Sequence, residues 1–104
     1  MSFISIYITH PSKEKAIEIS DFLIQKKLIA CANIYPINSV YRWQGVVQRE
    51  DEWVSLVKTK EHLFDEIVKT VELLHPYEIP CIMKTEHSAN KDYEDWINNQ
   101  LINS

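Results

Sequence analysis

Four stretches of the chain carry the β-branched, aromatic and alternating pattern of strands, and three carry apolar residues at helical spacing. In residues 3–9, Ile4, Ile6 and Ile8 alternate with Phe3, Ser5, Tyr7 and Thr9. Both sets are substantially apolar, as in a central strand. His10-Pro11-Ser12 ends it, since Pro11 cannot continue a central ladder and Ser12 offers a helix cap. A helix follows over 13–27, with Ala16, Ile17, Ile19, Leu23 and Ile24 on its apolar side and Lys26-Lys27 at the negative end of its dipole. Thr59 is placed to cap a second helix over 60–74, in which Leu63, Phe64, Ile67, Val68, Val71 and Leu74 keep the i, i+3, i+4 spacing and which Pro76 limits. A strand over 79–86 has Pro80 near its start, which favours a sheet edge. From about Asn90, Tyr93, Trp96, Ile97 and Leu101 form a narrow apolar stripe on a third helix.

The chain is organised around residues 28–59, which read as two long strands and one turn. The first strand spans 28–47 and the second 52–59, with the polar run Gln48-Arg49-Glu50-Asp51 expected as the corner between them. Pro36 is expected at an edge or bulge, and Gly45, the only glycine, at a bend. Period two puts Ile37, Ser39, Tyr41 and Trp43 on one face and Asn38, Val40, Arg42 and Gln44 on the other. The first run is about twice the usual strand length of ~5–6 residues. A domain this small cannot cover both faces of so long a ribbon. Tyr41 and Trp43, near its far end, are therefore candidate interface residues that another copy of the chain covers.

The order β-α-β-β-α-β plus a terminal helix predicts an α+β, ferredoxin-like sandwich with strand order 4-1-3-2 and the helices on one face. A length of 104 residues suits one domain, 1–104. Eleven basic against fifteen acidic residues leave a net charge of −4, and no basic run exceeds Lys26-Lys27, which argues against a nucleic-acid surface. No apolar stretch approaches the ~20 residues of a membrane span, and the N-terminal residues have no signal-type pattern. A cytoplasmic location without membrane insertion is the expectation. Cys31 and Cys81 make no C-x-x-C pair and fall on opposite edge strands in the predicted order, so both are expected reduced.

Chemistry is sparse. None of the four histidines, His10, His62, His75 and His87, has a partner at local metal-site spacing, and a single glycine excludes phosphate-binding loops. Glu50 and Glu52 read as a solvated turn. The densest polar segment is His75-Pro76-Tyr77-Glu78-Ile79-Pro80-Cys81, where two prolines fix the directions of His75 and Tyr77. It reads either as a rigid corner or as a ligand or metal pocket. Catalysis by Cys81 would need an activating base and an oxyanion loop that the sequence does not supply, so no enzymatic activity is expected.

Taken together, Thr9-x-Pro11, residues 28–34 with Pro36, Ser39-x-Tyr41-x-Trp43-x-Gly45, Glu52, Lys58-Thr59, residues 75–80 and Tyr93-x-x-Trp96 resemble the CutA-type divalent-cation tolerance proteins. The resemblance covers nearly the whole chain. It implies a homotrimer like that of the PII signalling proteins, no required cofactor, and tolerance of copper or other divalent ions, with a protein partner as a further role. The copper ligands implied by the bacterial pattern are a cysteine near the end of strand one and two adjacent histidines. Here those positions are Ile8 and Leu74-His75, and Cys81 stands where a glutamate is usual. His75 with Cys81 is therefore the candidate metal pair. Lys58, Thr59 and Tyr77 are candidate contacts for a small ligand in inter-subunit clefts, an anionic one in the PII-like alternative.

Overall fold

The computed structural model describes residues 2–102, and eight elements follow one another in it: β1 (Phe3–His10), α1 (Lys13–Gln25), β2 (Cys31–Trp43), β3 (Val46–Thr59), a short 3-10 turn (Glu61–Leu63), α2 (Phe64–Leu74), β4 (Ile82–His87) and α3 (Lys91–Gln100). The strands form one antiparallel sheet in the predicted order β2-β3-β1-β4, with Pro36 in an edge strand, whereas Pro80, expected near the start of the fourth strand, precedes it because β4 begins at Ile82. Pro36 sits within edge strand β2, where its missing N–H costs no ladder bond on the open side.

The pleat sorts the sheet into two faces. Ile4, Ile6 and Ile8 of β1 share a face with Val57 and Ser55 of β3, and this face packs on α1 and α2. Ile19 and Leu23 of α1 and Ile67 and Val71 of α2 are fully buried against it, and Ile97 of α3 closes the cluster. Each such side chain contributes about 1.5–3 kcal/mol by leaving water. Ile17 and Ile24 stay more than a third exposed, so the buried stripe of α1 is narrower than its sequence suggests.

Local chemistry sets the ends. The Ser12 hydroxyl accepts from the Lys15 amide at 3.1 Å and starts α1. At the other end Leu28 N–H reaches Leu23 O and Lys27 N–H reaches Ile24 O, a paired closure with Lys27 in the left-handed region at φ 58°. Thr59 does not cap α2. Its hydroxyl donates instead to the Leu28 carbonyl at 2.6 Å, inside the core, and the 3-10 turn that leads into α2 has no side-chain cap.

The hairpin turn also differs from its expected place. It lies at Gln44-Gly45, with Trp43 opposite Val46, and the polar residues 48–51 belong to β3. Gln44 (φ 50°) and Gly45 (φ 81°) supply the two positive-φ positions of a tight two-residue loop whose twist matches that of the strands. The charged run stays in the strand because the ribbon there is solvated, and Asn38 donates to Asp51 across it at 2.6 Å. Pairing of β1 with β3 stops at His10 opposite Trp53, whereas β2 and β3 continue from Ile37–Glu52 to Trp43–Val46. The ribbon thus projects roughly 20 Å past its own sheet, giving a chain of 45 × 25 × 21 Å.

Candidate functional site

Period two from the Gln44-Gly45 turn puts Trp43, Tyr41, Gln48, Glu50 and Glu52 on the helix-free face of the sheet, with Thr9 of β1 on the same face. The segment between α2 and β4 folds over this face. Together they line a cleft of about 660 Å³, its far wall built from Pro76, Tyr77, Glu78, Ile79 and Cys81.

His75 anchors that wall. It is buried, its Nε2–H donates to the Thr9 carbonyl at 2.7 Å, and its Nδ1 accepts from the Tyr77 amide at 3.1 Å. These partners fix the neutral tautomer and use both ring nitrogens. Burial lowers its pKa, and the hydrogen bond to Thr9 opposes that only in part. Its ring lies against that of His10, with centroids 5.3 Å apart. His10 Nε2 and the Ser55 hydroxyl are 2.7 Å apart, while Nδ1 has no partner among the described residues. A bare lone pair is cheaper to bury than an orphaned N–H, which assigns the proton to Nε2. Burial first, then His75 and Lys15, push the His10 pKa from 6.5 to about 4.

From this anchor Tyr77 reaches across the cleft and donates its hydroxyl to Glu52 at 2.6 Å. Burial and this bond raise the Tyr77 pKa, keeping the phenol a donor. Glu52 is only 6% exposed. Closer to the ribbon tip, Tyr41 donates to Glu50 at 3.0 Å. Burial, and then Glu52, raise the Cys81 pKa, so the thiol stays protonated and is a weak nucleophile.

The candidate residues therefore separate. Tyr77, Cys81, Tyr41 and Trp43 meet in the cleft. His75 stands behind its wall with no ring nitrogen to offer a metal. Lys58 lies elsewhere on the sheet, hydrogen-bonded to Asn33, and Thr59 is buried on the helix side. Among the described residues no group of three or more His, Cys, Asp or Glu side chains is placed to hold a metal ion. Sequence reading missed Glu50 and Glu52 as cleft residues because it placed the corner at 48–51. Counting alternate positions from the Gln-Gly pair would have put both beside Tyr41 and Trp43.

The family model described as CutA1 divalent ion tolerance protein matches residues 4–100. The chain belongs to this family. The divalent-cation tolerance protein CutA of Thermotoga maritima is 38% identical over 101 residues, 95% of this chain and 99% of that protein. Its counterpart in Thermus thermophilus is 42% identical over 94 residues, 88% and 91% of the two chains. The crystal structure of CutA1 from Oryza sativa superposes with a TM-score of 0.95 at 35% identity, covering 100% of this chain and 97% of that one. In this CutA chain two of the three ligand positions that the bacterial pattern implied carry apolar side chains in structural roles. Ile8 is fully buried in the core, and Leu74 packs against it.

Proposed function

We propose that this CutA chain is a non-catalytic protein of divalent-cation tolerance that works as a homotrimer and holds its cation in the cleft between the ribbon and residues 76–81. The carrying observation is the lining of that cleft: Glu50, Glu52 and Glu78 with the Cys81 thiol, and no lysine or arginine. This favours a cation over the small anion of the PII-like alternative, because Lys58 and Thr59 lie outside the cleft. One chain brings too few ligands together for a tight metal site, so the coordination is completed by a neighbouring copy seated on the projecting ribbon. Cys81 would favour a soft ion such as copper(I).

The trimer reading is supported by the ribbon itself. Val40, Val46 and Val47 are 67%, 58% and 41% exposed beyond the sheet, with Tyr41 and Trp43 still more than a third exposed beside them. A cytoplasmic location belongs to the same proposal. The Archaeoglobus fulgidus relative of known structure is described as periplasmic and the Arabidopsis thaliana relative as chloroplastic, so fractionation of tagged protein decides it. No helix among the described residues is long and apolar enough to cross a membrane.

Calorimetric titration of copper(I) and Zn²⁺ into the wild type, Cys81→Ser, Glu50→Gln and His75→Ala tests the site. Cys81→Ser and Glu50→Gln are expected to lose about tenfold or more in affinity, one charged ligand contact being worth ~1.4 kcal/mol or more. Equal affinities in all four proteins would end the reading.

A further inference from the structure

The projecting ribbon has two faces of opposite charge. On the face that looks into the cleft, Glu50 takes the Tyr41 hydroxyl, and Trp43, Glu52 and Glu78 line the same space. On the other face the register pairs Val40 with Arg49 and Arg42 with Val47. These are the only two arginines of the chain. Both are exposed, and neither forms an ion pair among the described residues. As diagonal neighbours on one face their backbones lie ~7–8 Å apart, where like charges repel. The carboxylate next to Arg49 on that face, Asp51, accepts from Asn38 instead. Two unpaired guanidinium groups set among exposed valines, in a chain of net charge −4, favour an anionic partner with apolar surface beside its charge.

We infer that this partner is the acidic face of a second copy: Arg42 and Arg49 of one ribbon meet Glu50 and Glu78 in the cleft of the next subunit, with Val40 and Val47 against its Tyr41 and Trp43. Glu50 and Glu78 are the exposed carboxylates of the cleft, whereas Glu52 is nearly buried and takes the Tyr77 hydroxyl. The sidedness also selects the symmetry. A two-fold contact built on either face sets like against like, arginine on arginine or glutamate on glutamate. Head-to-tail contact sets the basic face on the acidic face every time, and a rotation that closes makes it a ring. Two guanidinium groups against three carboxylates leave the joined cleft negative, so it still attracts a cation. The inference rests on the homotrimer of the proposed function and adds which surfaces join it and what the neighbour contributes to the cleft.

Sedimentation equilibrium of the full-length protein over a dilution series, at low salt and at ~1 M, is the test. Wild-type association is expected to weaken severalfold or more as salt rises. Arg42→Glu/Arg49→Glu is expected to associate at least about a hundredfold more weakly at low salt, since like charges then face each other across the contact. Adding Glu50→Lys/Glu78→Lys to the same chain reverses both sides, and association is expected to return to within about tenfold of the wild type. All four positions are exposed, and circular dichroism checks the fold. Should the reversed chains not fold, Arg42→Gln/Arg49→Gln takes their place, with a loss of about tenfold expected. A wild-type trimer that neither arginine variant weakens overturns the inference and leaves the homotrimer standing. A fully reversed chain that associates no better than Arg42→Glu/Arg49→Glu overturns it too, by showing that the arginines meet another surface. A wild type that stays monomeric throughout the series overturns both readings.

Discussion

The imidazoles of His10 and His75 stack with ring centroids 5.3 Å apart and 24° between their planes, and each is held neutral by what surrounds it. His10 is fully buried beside Ser55, and His75 is closed in by the Thr9 carbonyl and the Tyr77 amide. A second positive charge cannot be placed there cheaply, and Lys15 already acts against one. The pair is the hinge on which the cleft wall hangs, because the same His75 ring that stacks on His10 fixes the start of residues 76–81.

Acid should therefore unfold the protein through this pair. Both groups have folded pKa values below the ordinary 6.5. The unfolded chain takes up protons as the pH falls below that value while the folded chain does not, so stability is complete above about pH 6.5 and declines towards pH 4. For His10 alone the loss approaches roughly 3 kcal/mol by pH 4, at ~1.4 kcal/mol per pH unit. Urea midpoints measured from pH 7.5 to 4 check this, with NMR titration of the two rings to assign it. Midpoints that do not move over that range, or rings that titrate near 6.5, contradict it.

Tyr77→Phe removes the one hydroxyl that, among the described residues, donates to Glu52, leaving a nearly buried carboxylate without that donor. The expected cost is about 1–3 kcal/mol, the penalty for orphaning a buried polar group rather than the smaller net value of a hydrogen bond. The double variant Tyr77→Phe/Glu52→Gln should recover part of it, since a neutral amide is cheaper to leave unpaired than a charge. Chemical denaturation of the four proteins completes the cycle. Strict additivity of the two single costs would show that the residues do not interact.

Much of this architecture was legible in the residues. The isoleucines of β1 and the helical spacing in α2 each fixed an element through burial, and the missing donor of Pro36 marked an edge strand, whereas Pro80 precedes β4 instead of lying within it. The hairpin was read with its corner too late because Gln48-Arg49-Glu50-Asp51 looks like a turn only if strands must be half-buried. In a ribbon with solvent on both faces charge does not break a strand, and the backbone need for positive φ at Gln44-Gly45 decided the turn. The cleft was half legible. Tyr77 and Cys81 stood out by their rigid proline frame. The Tyr77–Glu52 bond joins positions 25 residues apart and depends on a register that the misplaced corner concealed. Thr59 was misread for a related reason: its hydroxyl found the Leu28 carbonyl across the sheet, a partner that no local cap rule includes.

Two positive-φ positions are occupied by residues poorly suited to them, Lys27 at the end of α1 and Gln44 in the hairpin turn. The left-handed region costs a side-chain-bearing residue about 1 kcal/mol relative to glycine, and asparagine less than most. Lys27→Gly and Gln44→Asn should each stabilise the fold by a few tenths to ~1 kcal/mol, as higher thermal midpoints. The converse change, Gly45→Ala at φ 81°, should destabilise by about 1 kcal/mol through backbone strain alone, because an added Cβ there meets nothing within 4 Å. A neutral Gly45→Ala would mean that the turn relaxes to another type, which the register of Trp43 opposite Val46 would then report by NMR.

Trp43 lies one residue from the turn and is 37% exposed, so its ring rests only in part on its own chain. Truncation inside the monomer should therefore cost little, whereas truncation of an aromatic anchor at a subunit contact typically costs ~2 kcal/mol or more. Trp43→Ala is expected to weaken self-association by about thirtyfold at each contact, with the far-ultraviolet circular dichroism and the dispersion of core amide signals kept. Ile97→Ala is the contrasting change. Ile97 is fully buried, and its truncation should cost about 2–5 kcal/mol of folding stability. Sedimentation equilibrium over a dilution series separates the two, since Trp43→Ala should dissociate into folded monomers at concentrations where the wild type stays assembled. If Trp43→Ala sediments as the wild type does across the series, the projecting ribbon is not the contact that joins the subunits.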